Sequence, residues 1–173
     1  MIGETWPKTC GGCSKAHFNN PVPVAVALVP VLDEHEVLVG FVGVKRGAKS
    51  VDGAGQWALP GGFTEFGEDA KMGGARELRE ETGIDLPPAQ FRVIDSVCST
   101  NGANILTFVV GSPVYLEQVL QATPCENECM AVGVVDETTP LAFSSHHDVI
   151  EKEMDIQRRK YVVSRRLGRR GAP

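Results

Sequence analysis

Acidic residues recur at helical spacing between residues 77 and 81 of this chain. Glu77 and Glu81 are four residues apart and Glu77 and Glu80 are three apart, so a helix would place their carboxylates on one side. Like charges at this spacing destabilise a helix and raise carboxylate pKa values unless a cation is held between them. Hard oxygen ligands in a small anionic cluster suit Mg²⁺ or Mn²⁺, which share their coordination shell with substrate phosphates. The residues therefore predict a divalent-metal site with Glu77 and Glu81 as principal ligands and Glu80 bridging or completing it.

A helix from Asp69 to Thr82 is predicted to carry these carboxylates. Asp69 can cap its start, and Gly83 stands where a residue in the left-handed conformation would end it. Gly73 and Gly74 lie inside the helix, where each costs roughly 0.5–1 kcal/mol of stability relative to Ala. Two explanations stay open: the helix packs very closely on a sheet at these positions, or it is intrinsically weak and held by its surroundings.

One arginine on the predicted helix is placed to organise the acidic residues. Arg76 can reach Glu80 on the next turn, or Glu68 ahead of the helix. A guanidinium in either position would orient a metal ligand rather than bind substrate. The alternative for a helix rich in Glu and Arg is a solvated surface decorated with ion pairs. The turn Leu59-Pro60-Gly61-Gly62, which precedes the acidic residues, favours the metal-binding interpretation.

Residues 62–84 also contain a longer pattern of fixed positions. The pattern is Gly, five residues, Glu, seven residues and then Arg-Glu-apolar-any-Glu-Glu-any-Gly-apolar. It is matched by Gly62, Glu68, Arg76, Glu77, Leu78, Glu80, Glu81, Gly83 and Ile84. This pattern is the Nudix box, and the chain resembles the Nudix hydrolases, which cleave nucleoside diphosphates linked to another group. The resemblance implies an α/β fold, an α/β/α sandwich with a mixed β-sheet between helices.

The resemblance implies further roles around the box. The backbone carbonyl of Gly61 would add an oxygen ligand, and Glu68 and Arg76 would hold the loop and the helix together. Divalent ions can neutralise a pyrophosphate and activate water, but a general base is also needed. Family members often take that base from a Glu in a loop before a late strand, where this chain has Glu126 and Glu128. Glu128 is the predicted base, and the alternative is that both are solvated loop acids.

Substrate recognition is predicted from residues outside the box. Lys45 or Arg46, near the end of a predicted strand, could clamp a phosphate, and Arg46 is the predicted residue; the alternative is an exposed cation. The segments 37–39, 45–47, 56–62 and 141–146 resemble the branch of the family that includes bacterial ADP-ribose pyrophosphatases. The predicted reaction is hydrolysis of ADP-ribose or another ADP-sugar to AMP and a sugar phosphate. The alternatives are an RNA 5′ pyrophosphohydrolase or decapping enzyme, an NADH pyrophosphatase, and a nucleotide-sensing module without catalysis.

A cysteine pair precedes the predicted domain. Cys10 and Cys13 have the spacing of half a zinc knuckle and resemble the second half of the zinc ribbon of some relatives, including NADH pyrophosphatases. A structural zinc site needs four ligands, so His17, Cys125, Cys129 or a second copy of the chain would have to complete it. A relic without metal is the preferred interpretation, with a zinc site or a reactive thiol pair as the alternatives.

The composition indicates one ordinary globular domain. The chain has 173 residues, of which 42% are hydrophobic, and a net charge of −5, which argues against a general nucleic-acid binder despite a basic C-terminus. The apolar run 22–32 contains two prolines and is shorter than the roughly 20 residues that span a bilayer, so neither an anchor nor a signal peptide is predicted. Five cysteines, an odd number, fit a reducing compartment. We therefore expect a cytoplasmic protein that acts on a small nucleotide, with a homodimer left open.

Composition and periodicity also divide the chain. We expect an N-terminal segment at 1–21, a hydrolase domain at 22–163 and a basic tail at 164–173. Strands are predicted at 22–32 and beside it at 36–46, then at 57–59 continuing into 63–66, at 90–99, 104–110 and 129–136, with a final helix at 145–163. Strands on both sides of one helix, followed by a second helix, describe a mixed sheet between helices.

Overall fold

The computed structural model describes residues 6–50, 52–125 and 128–168, with side chains described as far as residue 161. The elements in chain order are β1 (Lys8–Thr9), β2 (Ala16–His17), β3 (Val22–Leu28), β4 (Pro30–Leu32), β5 (Leu38–Arg46), β6 (Trp57–Ala58), β7 (Gly61–Phe63), α1 (Ala70–Thr82), β8 (Arg92–Cys98), β9 (Asn104–Val110), β10 (Val114–Tyr115), α2 (Leu116–Gln121), β11 (Cys129–Val135) and α3 (Ser144–Gly168). A 3₁₀ turn, Pro88–Gln90, precedes β8. In this described part of the chain, no helix is long and apolar enough to cross a membrane.

Within the described residues the strands form two mixed sheets and a separate hairpin. One sheet has the order β10-β4-β5-β11, with β6 also paired to β5, and the other has the order β7-β3-β9-β8. β3 runs parallel to β9 and β10 runs parallel to β4, while the remaining pairs are antiparallel. The hairpin of β1 and β2 stands apart from both sheets.

The chain passes from one sheet to the other directly after β3. Leu28 still pairs with β9, whereas the Val29 carbonyl accepts a hydrogen bond from the Val42 N–H of β5 at 2.9 Å. Pro30 has no N–H to donate, which interrupts a continuous ladder at this point. The prediction that residues 22–32 lie beside the next strand is therefore wrong for β3, because only β4 pairs with β5.

Alternate residues of β3 enter two hydrophobic clusters on opposite faces of its sheet. Val26 and Leu28 pack in a cluster with Ile150 of α3. Ala27 packs in the other cluster with Leu78 of α1, and α2 also contributes to that cluster. Helices thus cover both sides of the strands, α1 and α2 on one side and α3 on the other. This arrangement confirms the predicted α/β/α sandwich.

Helix α1 begins and ends where the sequence indicates. The Asp69 carboxylate caps it by accepting hydrogen bonds from the N–H groups of the second and third helical residues, and Gly83 ends it with a left-handed φ of 73°. A methyl group on Gly74 would lie 2.5 Å from the Val109 side chain, and one on Gly73 would lie 3.1 Å from its nearest neighbours. Close packing on the sheet therefore explains the two glycines.

Several short elements were not predicted. They are the two-residue strands β1, β2 and β10 and the six-residue helix α2. Segments of this length contain less than two periods of a helix or a strand, so hydrophobic periodicity cannot reveal them. Helix α3 also continues to Gly168, beyond the predicted end at residue 163.

Candidate active site

Arg76 connects the loop before α1 to the acidic face of that helix, which consists of Glu77, Glu80 and Glu81. Its Nε donates to Glu68 Oε1 at 2.9 Å, and its Nη1 donates to Glu77 Oε1 at 2.8 Å and to Glu80 Oε2 at 2.9 Å. Its Nη2 donates to the Phe63 carbonyl at 2.8 Å and to Glu68 Oε2 at 3.1 Å. The predicted contacts with Glu68 and Glu80 are therefore both present. These carboxylates, Glu68 first, hold the pKa of Arg76 above its ordinary value, so the residue is a permanent cation.

Glu81 is the most deeply buried carboxylate of the acidic face. Its Oε2 accepts a hydrogen bond from the Gly61 N–H at 3.0 Å, and only 7% of the residue is exposed. Burial raises the pKa of Glu81 to about 8, the Gly61 hydrogen bond opposes this shift, and the charges of Glu77 and Glu128 add to it. Burial also raises the pKa of Glu77, against the effect of Arg76. Burial thus disfavours the charged forms of both carboxyl groups where α1 faces Gly61.

Glu128 lies close enough to this acidic face to affect its ionisation. Its charge raises the pKa values of both Glu77 and Glu81. The residue is exposed in the turn before β11, where its backbone N–H donates to the Cys125 carbonyl at 3.0 Å and its carbonyl accepts from the Gly47 N–H at 2.8 Å. The role of Glu128 as general base stays a prediction, and Glu126 lies outside the described residues.

The donor set fits a hard divalent cation. In the described part of the chain, no three His, Cys, Asp or Glu side chains are arranged to hold a metal by themselves. Glu80 is engaged by Arg76 with 48% of its side chain exposed, which leaves Glu77 and Glu81 as the buried carboxylates. Mg²⁺ is commonly held by one or two carboxylates, with waters and substrate phosphates in the other positions. Because burial raises the pKa of both carboxyl groups, a bound cation would favour their charged forms.

An open cleft of about 630 Å³ adjoins the acidic face, and Gly61 and Gly62 form part of its wall. The cleft also contains Arg46, whose Nε donates to the Asp52 carbonyl at 2.9 Å and whose guanidinium lies 5.1 Å from the Phe143 ring centre. Lys45 does not line this cleft. Of the two candidate phosphate clamps, the structure therefore places Arg46 beside the acidic face.

One residue of the site carries no prediction from the sequence. His146, in the first turn of α3, lines the cleft, is 4% exposed and accepts the Leu59 N–H at 3.2 Å through Nδ1. Burial and the charge of Arg46 lower the pKa of His146 to about 3, so the imidazole is neutral at physiological pH. The sequence feature that could indicate His146 is its position in the segment 141–146, which resembles a family segment. That resemblance by itself suggests no role for the residue.

Cys10 and Cys13 lie in the turn of the β1–β2 hairpin. Hydrogen bonds from the backbone N–H groups of Cys13 and Gly12, and from the Cys13 side chain, lower the pKa of the Cys10 thiol. Among the residues that the structure describes, neither His17 nor any other His, Cys, Asp or Glu joins the pair in a group that could hold a metal. Only completion from outside this part of the chain remains open for a zinc site.

Comparison with known proteins identifies the family of the domain. The NUDIX domain model matches residues 21–159. A curated relative, Nudix hydrolase 10 of Arabidopsis thaliana, is 33% identical over 84 residues, which are 46% of this chain and 29% of the relative. The chain thus aligns with less than a third of the length of that relative.

Similar solved structures share the fold at low sequence identity. The NUDIX domain of Shewanella oneidensis NrtR, complexed with ADP ribose, has a TM-score of 0.66 and 19% identity, over 81% of this chain and 90% of that one. A NUDIX hydrolase from Nitrosomonas europaea has a TM-score of 0.62 and 22% identity, over 85% and 77% of the two chains. A bifunctional NMN adenylyltransferase/ADP ribose pyrophosphatase from Francisella tularensis, complexed with AMP and a manganese ion, has a TM-score of 0.61 and 24% identity, over 80% and 42%.

Proposed function

Because this chain belongs to the NUDIX domain family, we propose that it hydrolyses the pyrophosphate bond of a nucleoside diphosphate linked to another group, with a divalent metal as cofactor. The observation that carries the proposal is the buried pair Glu77 and Glu81 directly behind the Gly61-Gly62 wall of an open cleft, where Glu81 accepts from the Gly61 N–H and Glu77 lies against Gly62. A cleft of this size accommodates a small nucleotide.

We assign the chemistry to the acidic face of α1 and to residues beside it. Glu77 and Glu81, with the Gly61 carbonyl, would hold the metal, and Glu80 would complete the site. When bound, Mg²⁺ or Mn²⁺ supplies charge neutralisation at the phosphate oxygens and a more acidic water. Glu128 would accept the proton of the attacking water, which requires it in the carboxylate form.

Two arginines have different parts in this proposal. Arg76 is bonded to Glu68, Glu77 and Glu80, so it orients carboxylates and has little capacity left for substrate. Arg46 faces the cleft and would bind a phosphate of the substrate. Its guanidinium is held by the Asp52 carbonyl and the Phe143 ring, which reduces the conformational freedom it would lose on binding.

The proposed substrate class is ADP-ribose or another ADP-sugar, with AMP and a sugar phosphate as products. Two solved structures of similar fold are complexes, one with ADP ribose and one with AMP. The segments flanking the box also resemble ADP-ribose pyrophosphatases. We propose further that the protein acts in the cytoplasm, since five cysteines in an odd number fit a reducing compartment.

A substrate panel tests this proposal. ADP-ribose, ADP-glucose, NADH, dinucleoside polyphosphates, nucleoside triphosphates and 5′-triphosphate RNA would be assayed at equal concentration with Mg²⁺ and with Mn²⁺. We expect the highest kcat/KM for an ADP-sugar. A preference of about tenfold or more for another compound, about 1.4 kcal/mol in transition-state binding, would reject the substrate class and leave the reaction class standing. Tight binding without turnover of any compound would favour a nucleotide sensor instead.

A further inference from the structure

We infer that His146 is a positioning residue for the proposed reaction: its imidazole fixes the Leu59–Gly61 segment so that Gly61 meets Glu81. The inference rests on the proposed function, because it concerns the same acidic face and the same cleft. It begins from one hydrogen bond, in which the Leu59 N–H donates to His146 Nδ1 at 3.2 Å. Because Nδ1 accepts, the ring proton is on Nε2.

The hydrogen bond replaces one that a strand would have supplied. Trp57 forms a parallel bridge with Leu141, and the Trp57 carbonyl accepts from the Ala142 N–H at 2.8 Å. In a continued parallel pairing the Leu59 N–H would be the next donor from this strand. The segment that follows Leu141 does not continue as a strand, because α3 begins at Ser144. The His146 side chain provides the acceptor for the Leu59 N–H instead.

Three consecutive residues are thereby bonded to three different elements. The Leu59 N–H donates to His146 of α3, and the Pro60 carbonyl accepts from the Ala27 N–H of β3 at 2.8 Å. The Gly61 N–H donates to Glu81 of α1 at 3.0 Å. Pro60 has no N–H of its own, so on the N-terminal side of Gly61 the Leu59 N–H is the nearest backbone donor, and His146 is its acceptor. Loss of the His146 acceptor would leave the Pro60 carbonyl bond to Ala27 as the remaining one of these two hydrogen bonds ahead of Gly61, and so loosen the approach of Gly61 to Glu81.

The surroundings of His146 favour the form of the ring that can accept. The charged group near the ring is Arg46 of β5, and the rings of Phe108 and Phe143 lie 5.9 and 5.0 Å from it. Phe143 is also the ring beneath the Arg46 guanidinium. One neutral imidazole thus supports both the Leu59–Gly61 segment and the Phe143–Arg46 pair on the wall of the cleft.

Three substitutions separate positioning from simple packing. In His146→Asn, the amide oxygen takes approximately the place of Nδ1 and keeps the acceptor. In His146→Leu, a side chain of comparable size fills the space without an acceptor, and the Leu59 N–H becomes a buried donor without a partner. His146→Gln keeps a polar group but places it near the Nε2 position, away from the Leu59 N–H. It therefore tests loss of the acceptor a second time if the Leu variant does not fold.

The first readout is hydrogen exchange of the Leu59 amide, measured by NMR at pH 7. We expect protection in the wild type and in His146→Asn and at least about tenfold faster exchange in His146→Leu and His146→Gln, because a lost hydrogen bond exposes the amide to local opening. Unchanged protection in the Leu and Gln variants would overturn the role of His146 as acceptor. This readout requires no substrate, so it tests that role even if the proposed function fails.

The second readout is steady-state kinetics on the best substrate of the panel, at a temperature where all variants are folded. It gives the changes in kcat and in KM separately. We expect kcat to fall at least about tenfold in His146→Leu and His146→Gln and to stay within about threefold of the wild type in His146→Asn. An equal decrease of kcat in all three variants, or a decrease that follows the melting temperature alone, would show that His146 contributes only packing. Absence of turnover in the wild type would reject the proposed function, and with it the catalytic part of this inference.

Discussion

Gly62 lies directly against the Glu77 carboxylate, so closely that a methyl group on Gly62 would overlap its Oε1 atom. The close approach of β7 to the acidic face of α1 therefore leaves no room for a side chain at Gly62 while the Glu77 carboxylate keeps its place. Any larger residue must move the carboxylate that we assign to the metal.

Gly62→Ala should displace Glu77 and lower kcat/KM at least about tenfold while the domain remains folded. Steady-state kinetics and circular dichroism would measure the two effects. Gly11→Ala is the matched control, because a methyl group there meets nothing within 4 Å. Wild-type kinetics in Gly62→Ala would show that the position of Glu77 is not critical.

Gly74→Ala should destabilise the protein although Ala favours a helix. The added methyl group would lie 2.5 Å from Val109, whereas in Gly73→Ala the nearest atoms are 3.1 Å away. We expect a loss of about 1–3 kcal/mol in the free energy of unfolding for Gly74→Ala and a smaller loss for Gly73→Ala, because overpacking is more severe at the first site. Urea unfolding measures both, and equal or stabilising effects would contradict close packing of α1.

His146 should make the protein sensitive to acid. Its pKa is lowered from 6.5 to about 3 by burial and by Arg46, so between these values the unfolded chain binds a proton that the native protein does not. The stability from the neutral imidazole is therefore complete above the unfolded pKa and is lost as the pH falls towards the folded pKa. Between pH 7 and pH 5, wild type should lose about 2 kcal/mol more unfolding free energy than His146→Asn. Urea unfolding of both proteins at pH 7 and at pH 5 measures this difference. An equal loss of unfolding free energy in wild type and in His146→Asn would contradict the prediction.

Cys10 and Cys13 should carry well under one zinc ion per chain in the purified protein. The hairpin supplies two sulfur ligands, and a structural zinc site needs four. Replacing both cysteines by Ser should shift the melting temperature little. Stoichiometric zinc by elemental analysis, lost together with stability in the double variant, would establish a metal site and require ligands from outside the described residues.

Local geometry explains which parts of the site could be predicted. The spacing of Glu77, Glu80 and Glu81 fixes their common side on any helix, and the contact of Arg76 with Glu80 follows from the same i,i+4 spacing. The end of α1 at Gly83 is likewise a local signal. The reaction class and the fold followed from the resemblance of the box, which is also a contiguous pattern.

Long-range relationships account for what the sequence did not reveal. Leu59 and His146 are 87 residues apart, and no local rule connects an N–H after one short strand to an imidazole in a distant helix. The chain passes from one sheet to the other at Val29, where the backbone carbonyl accepts from Val42 of β5. Hydrophobic periodicity does not indicate which strand will pair with which. The prediction of Glu128 rests on resemblance alone, because its position relative to Glu77 and Glu81 depends on how β11 is placed in the fold.

The central claim, metal-dependent hydrolysis through Glu81, is tested most directly by comparing wild type and Glu81→Gln on the best substrate of the panel, with Mg²⁺ and with EDTA. The amide resembles the protonated carboxyl group, so we expect the variant to keep its fold and melting temperature. We predict that EDTA abolishes wild-type hydrolysis and that kcat of Glu81→Gln in Mg²⁺ falls at least about 10²-fold, because charge stabilisation in the transition state is lost. Full activity of the wild type in EDTA, or wild-type kcat in Glu81→Gln, would contradict the account.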